Sequence, residues 1–327
     1  MLKIGVLGVG HLGKIHLKCI KQVSELELIG FYDPNDANAE KAISEYKTHR
    51  FDTAEALIQQ ADIIDIVTPT TTHFQLAEQA IQAGKHVFIE KPVTHTLQEA
   101  KQLTELLQKH PVKVQVGHVE RFNPAYLALD NIPLSPKFIE AHRLSSFNPR
   151  GTDVSVVLDL MIHDLDLVLD MVKSEVKRIS ANGVAIVSNT PDIANARIEF
   201  ENGAVANLTA SRMSFKQMRK FRLFQQNAYI SIDFLEKKTD VVRLYNDGDP
   251  EIPEDAMLMD LETSTGRKKI HLSQPEVTPV NSIKMELETF AECILKDIEP
   301  KVSLQDGYKA LIVAHQIIEQ IKKRNLI

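Results

Sequence analysis

The opening segment "LKIGVLGVGHLGKIHLKCI" constrains the fold more than any other part of the sequence. An apolar strand runs into Gly8, Gly10 and Gly13, and a segment with helical spacing follows. The first glycine permits a tight turn, the second lets backbone amides approach a diphosphate, and the third lets the helix pack closely on the strand. The helix N-terminus adds partial positive charge beside the diphosphate. We therefore predict a dinucleotide-binding βαβ unit.

The end of the second predicted strand indicates which dinucleotide is bound. "LELIGFYD" ends in Asp33, twenty residues after Gly13. A carboxylate there accepts hydrogen bonds from the adenosine ribose hydroxyls and repels a 2′-phosphate. No arginine follows it in "YDPNDAN", so the sequence favours NAD over NADP. The alternative is a glycine-rich turn in another α/β protein, in which Asp33 only caps a turn.

Strands and helices then alternate as far as residue 119. "ADIIDIVTP", "KHVFIEKP" and "VKVQVGH" are typical of buried strands, and "TLQEAKQLTELLQKH" of a helix. Another helix, "FQLAEQAIQAG", ends at Gly84, a residue suited to a C-cap. This alternation predicts a doubly wound parallel sheet, with residues 1–119 forming a Rossmann domain.

Polar segments follow two of these strands, "TPTTTH" and "EKP", at the edge of the sheet where ligands bind. A proline holds Lys91 just beyond an apolar strand, and we expect this lysine to face the nicotinamide ring. The alternative for Lys91 is an ordinary surface lysine. The predicted cofactor-binding residues are Gly8, Gly10, His11, Leu12, Gly13, Asp33, Thr68, Pro69, His73, Glu90 and Lys91.

Residues 120–327 change character, because strand-like runs follow one another without intervening helices. Period-2 patterning and the "ENGA" turn indicate antiparallel pairing. The chain closes with two helical segments. We predict an α/β protein in which the Rossmann domain precedes an α+β domain, residues 120–327, with an open, mainly antiparallel sheet.

The apolar segment "VVLDLMIHDLDLVLDMV" carries an unexpected polar stripe. At about 100° per residue, Asp159, His163, Asp166 and Asp170 cover roughly 60° of one helix face. The alternative is an ordinary solvated face, but the stripe lacks lysine, arginine and glutamate. We predict that Asp159 orients His163 as a base facing a crevice. No Cys/His spacing supplies the further ligands of a zinc site, so no metal is predicted.

Composition excludes several classes of partner. The formal net charge of −6 argues against nucleic-acid binding. No apolar run reaches the ~18 residues of a membrane span, and the start lacks a signal-peptide pattern. Cys19 and Cys293 have no spacing partner, so a cytoplasmic protein is expected. A local basic cluster is typical of a solvated face, with a phosphate-bearing substrate or a subunit contact as the alternative; it comprises Arg212, Lys216, Arg219, Lys220 and Arg222.

The ordered set of GxGxxG, Asp33, "TPTTTH", "EKP" and "DLMIHDLD" resembles the Gfo/Idh/MocA family of oxidoreductases over essentially the whole chain. The resemblance implies a dehydrogenase whose C-terminal sheet forms homodimers or homotetramers. Lys91 matches the catalytic lysine of the family, and Asp159 and His163 match its D-x-x-x-H pattern. Asp166 completes H-x-x-D. The bond between Lys91 and the following proline becomes a candidate for the cis form.

Two positions depart from the family pattern, since Thr70 replaces a frequent Asn and Met161 a frequent Gly. "QVGHVERFNPA" with "DLMIHDLDLVL" looks like the branch that oxidises the 3-hydroxyl of UDP-N-acetylglucosamine. The alternatives are a polyol, inositol or dihydrodiol dehydrogenase of the same family, and a non-catalytic regulatory protein that binds NAD and a sugar. The expected substrate contacts are Lys91, Arg121, Asn123, Arg150 and His163, with the 212–222 cluster as a further source of cations.

Overall fold

The computed structural model describes residues 1–147, 154–253, 256–264 and 266–325. The chain divides into two compact units. The first comprises Met1–Phe122 and Asn281–Ile312, and the second comprises Asn123–Val280 and Val313–Ile327. None of the described helices is both long enough and apolar enough to cross a membrane.

A parallel sheet forms the centre of the first unit, with strand order β2-β1-β3-β4-β5. The strands are β1 (Leu2–Leu7), β2 (Leu26–Tyr32), β3 (Ile63–Ile66), β4 (His86–Glu90) and β5 (Val114–Gly117). Their helical connections are α1 (His11–Ile20), α2 (Asp36–Tyr46), α3 (Ala54–Gln60), α4 (His73–Gln82) and α5 (Leu97–Leu107). The predicted doubly wound parallel sheet is confirmed.

Local capping explains where several of these helices begin and end. The side chain of Asn35 accepts a hydrogen bond from the backbone of α2. Thr96 and Glu99 form a capping box at the start of α5. Gly84 has a φ of 73° just after α4, which is the position of the predicted C-cap.

The sheet of the second unit has the order β13-β14-β12-β11-β10-β6-β9-β8-β7, with β6 and β9 parallel and the other neighbours antiparallel. The strands are β6 (Phe138–Leu144), β7 (Val176–Val184), β8 (Ile193–Phe200), β9 (Val205–Ser211), β10 (Met218–Gln225), β11 (Ala228–Asp233), β12 (Lys238–Asn246), β13 (Leu258–Thr263) and β14 (Gly266–Ser273). The open, mainly antiparallel sheet is confirmed. The sequence did not indicate β13 or β14, because neither strand has a buried residue and so neither has an alternating pattern of buried apolar residues.

The short helix α6 (Pro124–Leu127) and the longer α7 (Ile162–Val172) belong to this second unit. A π-helical segment, Val157–Met161, leads directly into α7. The apolar residues of α7 pack with the inward side chains of β8 and β9 in one buried cluster. The predicted apolar helix is therefore present, but its first turn is wider than an α-helix.

Two helices follow the second sheet, α8 (Ser282–Lys296) and α9 (Leu304–Asn325). Leu287, Phe290 and Ala291 of α8 are buried in the same cluster as Ile4 and Phe88 of the parallel sheet. Residues 281–312 thus return to the first unit, whereas the predicted division assigned all of 120–327 to a second domain. The reason is the apolar face of α8, which is buried against the Rossmann sheet.

Candidate active site

The glycine turn after β1 has the geometry that a diphosphate-binding loop needs. Gly8 has a φ of 90°, and a Cβ there would lie 2.9 Å from the Val67 carbonyl oxygen. A Cβ on Gly13 would lie 2.0 Å from the Gly8 carbonyl oxygen, so this glycine allows close packing. A Cβ on Gly10 would meet nothing within 4 Å, so this side of the turn is open. No described side chain caps α1, which leaves its N-terminus for a ligand.

Asp33 is held directly beneath this turn. Its Oδ2 accepts a hydrogen bond from the Val9 backbone N–H at 2.8 Å, and its Oδ1 accepts one from the Asn35 N–H at 2.8 Å. The structure also places Arg50 here: its Nη2 donates to the Asp33 carbonyl oxygen at 2.9 Å and lies 2.8 Å from Asp36 Oδ1. Sequence analysis did not predict this arginine, because it reaches Asp33 through a parallel bridge between Phe31 and Arg50 and not through proximity along the chain.

A cavity of about 860 Å³ in the first unit opens above the turn, within the size range of cofactor sites. It is bordered by nine of the eleven predicted cofactor residues: Gly8, Gly10, His11, Leu12, Asp33, Thr68, Pro69, Glu90 and Lys91. Polar residues that the sequence did not indicate also border it, including Tyr32, Asn35, Asn38, Thr72, Gln75 and Gln79. They lie on segments that only the tertiary fold brings together.

The other two predicted residues, Gly13 and His73, are not among the described residues that border this cavity. Gly13 packs against the turn, as described above. The buried ring of His73 has Nδ1 3.0 Å from the Pro92 carbonyl oxygen and Nε2 2.9 Å from that of Thr68. Burial lowers the pKa of His73, although both carbonyl oxygens oppose the shift. His73 therefore connects the segments that follow β3 and β4, and its contact with the cofactor stays a prediction.

The turn after β4 carries Lys91. The peptide bond between Lys91 and Pro92 is cis, as the resemblance predicted. The Lys91 backbone N–H donates to Oε2 of Glu90 at 3.1 Å, and Glu90 itself is buried. Lys91 borders the cavity and is partly exposed. The Lys91 side chain is therefore accessible to a bound ligand, while the Glu90 carboxylate holds the Lys91 backbone N–H.

A buried polar cluster, which we call the core polar cluster, lies beneath this turn and consists of His16, Asp65, Glu90 and Glu286. His16 Nδ1 lies 2.9 Å from Asp65 Oδ2, and His16 Nε2 lies 3.3 Å from Glu90 Oε1. Sequence reasoning missed it. The available signals were a carboxylate within the buried strand "IIDI" and a histidine on the buried face of α1.

Electrostatics within the core polar cluster favour a protonated His16. Burial by itself lowers the pKa of His16, but the charges and hydrogen bonds of Asp65 and Glu90 outweigh it and leave the pKa well above its usual value. Burial acts to raise the pKa of Glu90, but His16 and then Lys91 lower it overall. Burial, followed by repulsion from Glu90, raises the pKa of Glu286 well above its usual value. Burial also raises the pKa of Asp65, although His16 opposes that shift.

The core polar cluster also has the spacing of a metal-binding group. One ligand atom each from His16, Glu90 and Glu286 lies within 4.8 Å of the others. The sequence predicted no metal because that prediction relied on Cys/His spacing along the chain, which this cluster does not have. In the described structure the His16 ring already faces one carboxylate at each nitrogen.

The predicted base belongs to the second unit. Asp159 lies in the π-helical segment and His163 in the first turn of α7, and both are half-buried. The predicted angles assumed a uniform α-helix, so the wider turn changes the relation between these two residues. Asp166 is buried and Asp170 accepts a 2.5 Å hydrogen bond from a tyrosine hydroxyl, so the stripe is not simply a solvated face.

A buried ion pair that the sequence did not predict lies beside the stripe. Arg143 of β6 donates from Nε and Nη2 to Oδ1 of Asp164 at 2.8 and 2.6 Å. Both side chains are almost fully buried. Arg143 occupies an inward position in the alternating pattern of its strand, which was the available signal for a buried partner.

The remaining predicted substrate contacts have varied surroundings. Arg121 is buried in a 3₁₀ turn, Val119–Phe122, of the first unit. Asn123 caps α6, since its Oδ1 accepts from the Ala125 N–H at 3.1 Å. Arg150 lies outside the described residues. No distance therefore tests the expected substrate contacts, which stay predictions.

Three residues of the basic cluster have acidic partners within the second unit, at 3.0 to 3.6 Å. The pairs are Arg212 with Asp192, Lys220 with Asp233 and Arg222 with Glu140. Lys216 and Arg219 are exposed. Lys216, Arg219, Lys220 and Arg222 thus fit the expected solvated face, whereas Arg212 is buried beside Asp192. A phosphate contact of this cluster stays the alternative prediction.

Comparison with known proteins identifies the family. Residues 2–118 match the profile described as "Oxidoreductase family, NAD-binding Rossmann fold", and residues 137–231 match the "GFO/IDH/MocA C-terminal domain". The UDP-N-acetylglucosamine 3-dehydrogenase of Acidithiobacillus ferrooxidans is 40% identical over 77% of this chain and 79% of its own. The chain belongs to the GFO/IDH/MocA oxidoreductase family. The resemblance to this family that the sequence motifs indicated is therefore confirmed.

Other relatives agree with this membership. The solved structure of the A. ferrooxidans enzyme superposes with a TM-score of 0.88 and 33% identity, covering 98% of both chains. The scyllo-inositol 2-dehydrogenase (NAD(+)) of Bacillus subtilis is 30% identical over 65% of this chain and 68% of its own. This GFO/IDH/MocA protein is an NAD-dependent dehydrogenase, and its glycine turn, Asp33 and cavity fit that cofactor.

Proposed function

We propose that this dehydrogenase oxidises the 3-hydroxyl of UDP-N-acetylglucosamine to a ketone. The similarity to the A. ferrooxidans enzyme carries the proposal, because it spans 77% of this chain at 40% identity. The glycine turn, Asp33 and Lys91 border one cavity, which supports NAD as the co-substrate.

Lys91 is the proposed electrophilic group. Bound NAD supplies the acceptor for the hydride that leaves the sugar carbon. The Lys91 ammonium donates a hydrogen bond to the reacting oxygen and stabilises the negative charge that develops on it. Its position at the cavity and the hydrogen bond from its backbone to Glu90 support this role.

His163 is the proposed base. Its imidazole accepts the hydroxyl proton, and Asp159 stabilises the imidazolium that results. Half-burial of both side chains supports this assignment, since a base needs shielding from bulk water as well as access to substrate. Arg121, Asn123 and Arg150 are the proposed contacts to the sugar nucleotide, with the arginines paired to its diphosphate.

A second substrate is favoured by a specific observation. The B. subtilis scyllo-inositol 2-dehydrogenase is 30% identical over 65% of this chain. A cyclic polyol presents the same secondary alcohol to Lys91 and His163, so the proposed chemistry is unchanged. With a polyol as substrate, Arg121 and Arg150 would have no diphosphate to contact.

We also propose a homodimer or homotetramer formed through the C-terminal sheet, in the cytoplasm. The edge hairpin β13–β14 supports the interface, because its exposed side chains include Leu258, Met259, Leu261 and Leu272. The free, buried thiols of Cys19 and Cys293 are compatible with a reducing compartment. Light scattering on Met259→Lys/Leu261→Lys, compared with the unchanged protein, tests the interface.

Absorbance at 340 nm tests the reaction, with NAD, UDP-N-acetylglucosamine, and an aminotransferase with its amino donor to remove the ketone. We expect NADH to form, and Lys91→Met or His163→Asn to lower kcat by about 10³-fold or more. Lys101→Met and His271→Asn are matched controls at exposed or half-buried surface positions and retain activity. NAD binding is expected to change by less than about threefold in all four variants.

The alternatives give different results in the same assay. Oxidation of scyllo-inositol but not of the sugar nucleotide would reassign the substrate and retain the dehydrogenase. Binding of NAD and sugar without turnover of any alcohol would indicate a regulatory protein. Loss of NAD binding in Lys91→Met, with the fold intact, would make Lys91 a cofactor contact and not a catalytic group.

A further inference from the structure

The core polar cluster connects α1 to the turn that carries Lys91. Glu90 is the link, because one carboxylate oxygen lies 3.3 Å from His16 Nε2 and the other accepts the Lys91 backbone N–H at 3.1 Å. Glu90 is also closely confined, since a Cβ on Gly117 would lie 2.9 Å from its Oε1. A change at His16 can therefore reach Lys91 through one rigid side chain.

His16 is itself fixed from its other side. Its Nδ1 lies 2.9 Å from Asp65 Oδ2 on β3, and the edge of its ring contacts Phe88 with centroids 5.7 Å apart. His16, Asp65 and Phe88 are fully buried. The ring therefore has little freedom to move, and it holds Glu90 at a defined distance from the sheet.

We propose that His16 is a positioning residue for catalysis: held by Asp65, its imidazolium fixes the Glu90 carboxylate that receives the Lys91 backbone N–H. This inference rests on the role of Lys91 in the proposed function, but it holds for any alcohol that Lys91 polarises. His16 does not border the cofactor cavity, so it acts through Glu90 and not on the substrate.

A bound metal ion is the competing explanation for the same residues, because His16, Glu90 and Glu286 have suitable spacing. A metal would need the His16 Nε2 lone pair and an ionised Glu286. The ion pairs account for both nitrogens of His16 without a metal, since Nδ1 lies 2.9 Å from Asp65 Oδ2 and Nε2 lies 3.3 Å from Glu90 Oε1. His16 Nε2 and both carboxylate oxygens of Glu286 have no hydrogen-bond partner among the described residues, so the zinc content of the purified protein separates the two explanations.

Two substitutions at His16 separate positioning from stability. In His16→Asn the amide nitrogen can replace Nδ1 and reach Asp65, whereas in His16→Gln it can replace Nε2 and reach Glu90. We expect kcat to fall about 100-fold in His16→Asn but by less than about 10-fold in His16→Gln. KM for NAD is expected to stay within about threefold in both. The thermal midpoint should fall more in His16→Gln, which loses the shorter contact, to Asp65.

His86→Gln provides the matched control. His86 is a half-buried histidine at the other end of β4, and its Nδ1 accepts the Lys113 backbone N–H at 2.9 Å. It lies four residues before Glu90, so this substitution should lower the thermal midpoint without lowering kcat.

A measurement without substrate keeps the test independent of the proposed reaction. In protein labelled with ¹⁵N-lysine, the Lys91 amide signal is assigned by its loss in Lys91→Arg. Its proton should move upfield in His16→Asn, as its carboxylate acceptor is displaced, and stay nearly unchanged in His16→Gln and His86→Gln. If no alcohol is oxidised, the proposed function fails and this shift alone decides the positioning role.

Three results would overturn the inference. Both His16 variants could retain kcat within about threefold, or lose it in the order of their thermal midpoints, which would make the role only structural. The Lys91 amide could be unchanged in His16→Asn. Purified protein could contain about one zinc ion per chain that is lost in His16→Asn, which would make the core polar cluster a metal centre.

Discussion

The two units of this dehydrogenase bury charge in different ways. In the first, one histidine faces two carboxylates, and a third carboxyl lies nearby without a hydrogen-bond partner among the described residues. In the second, two buried arginines lie beside buried aspartates: Arg143 contacts Asp164 and Arg212 contacts Asp192. In the core polar cluster one histidine thus lies between two carboxylates, whereas at each of the two sites in the second unit an arginine lies beside an aspartate.

The pKa shifts of a carboxyl group from each site have opposite directions. Burial would raise the pKa of Asp192, but hydrogen bonds from Val187, Ser188 and Ile186 lower it to about 2. That carboxylate stays ionised in any physiological buffer. Burial and the charge of Glu90 instead raise the pKa of Glu286 well above its usual value. A carboxylate with several hydrogen-bond donors stays ionised, whereas carboxyl groups that repel one another in a buried cluster can gain or lose a proton as the pH changes.

The largest expected effect comes from breaking a single pair. Arg143→Met removes the cation that donates two hydrogen bonds to the buried Asp164, and we expect the free energy of unfolding to fall by about 3–5 kcal/mol. Urea denaturation followed by circular dichroism measures this loss. In Arg143→Met/Asp164→Leu the uncompensated charge is gone, so most of the stability should return. A double variant no more stable than the single one would show that the buried Asp164 carboxylate is not the source of the lost stability.

A smaller effect is expected at Asp192. Asp192→Asn loses acceptor capacity toward three backbone N–H groups, which should cost about 2 kcal/mol at pH 7. The folded pKa is lowered, so this contribution is present above the ordinary value of 3.8 and is lost as the pH falls toward 2. Thermal midpoints of both proteins between pH 7 and pH 2.5 should therefore converge. A constant difference over that range would contradict the assigned ionisation.

The smallest effect, with the opposite sign, is expected in the first unit. Glu286→Gln should raise the free energy of unfolding at pH 8 by about 1 kcal/mol, because the amide carries no charge to desolvate. The raised folded pKa means that the wild-type contribution is intact below the ordinary value of 4.5 and is lost as the pH rises. Urea midpoints at pH 5 and pH 8 measure the change, and the gain should be smaller at pH 5.

If Glu286→Gln were less stable than the unchanged protein at pH 8, the prediction for the first unit would be wrong. It would mean that Glu286 donates a hydrogen bond or binds an ion that glutamine cannot replace. The matched control is Gln115→Glu at the neighbouring strand, where a second buried carboxyl should lower stability increasingly as the pH rises.

Much of the first unit was predictable because its constraints are local. The glycine turn needs Gly8 for its positive φ and Gly13 for its close packing, and both are visible as a spacing. Asp33 follows a strand of recognisable pattern, and Lys91 precedes a proline. Nine of the eleven predicted cofactor residues border the cavity for this reason.

The second unit was predictable only in part. Alternating apolar residues identified the strands β6 to β12, whose inward side chains form a buried cluster. The exposed β13 has no such pattern. The stripe on "VVLDLMIHDLDLVLDMV" was visible, but the π-helical segment that alters its geometry is not encoded in any simple spacing.

By itself, the sequence determined the Rossmann turn, the preference for NAD, the family and the residues proposed for chemistry, because each depends on neighbours along the chain. Only the tertiary structure decided that α8 returns to the parallel sheet, that Arg50 reaches Asp33, and that Glu286 enters the core polar cluster. The hydrophobic effect that buries an apolar face is non-directional, so the sequence does not show which surface that face will pack against. The charged residues that come together beneath Lys91 are therefore known only once the fold has placed them.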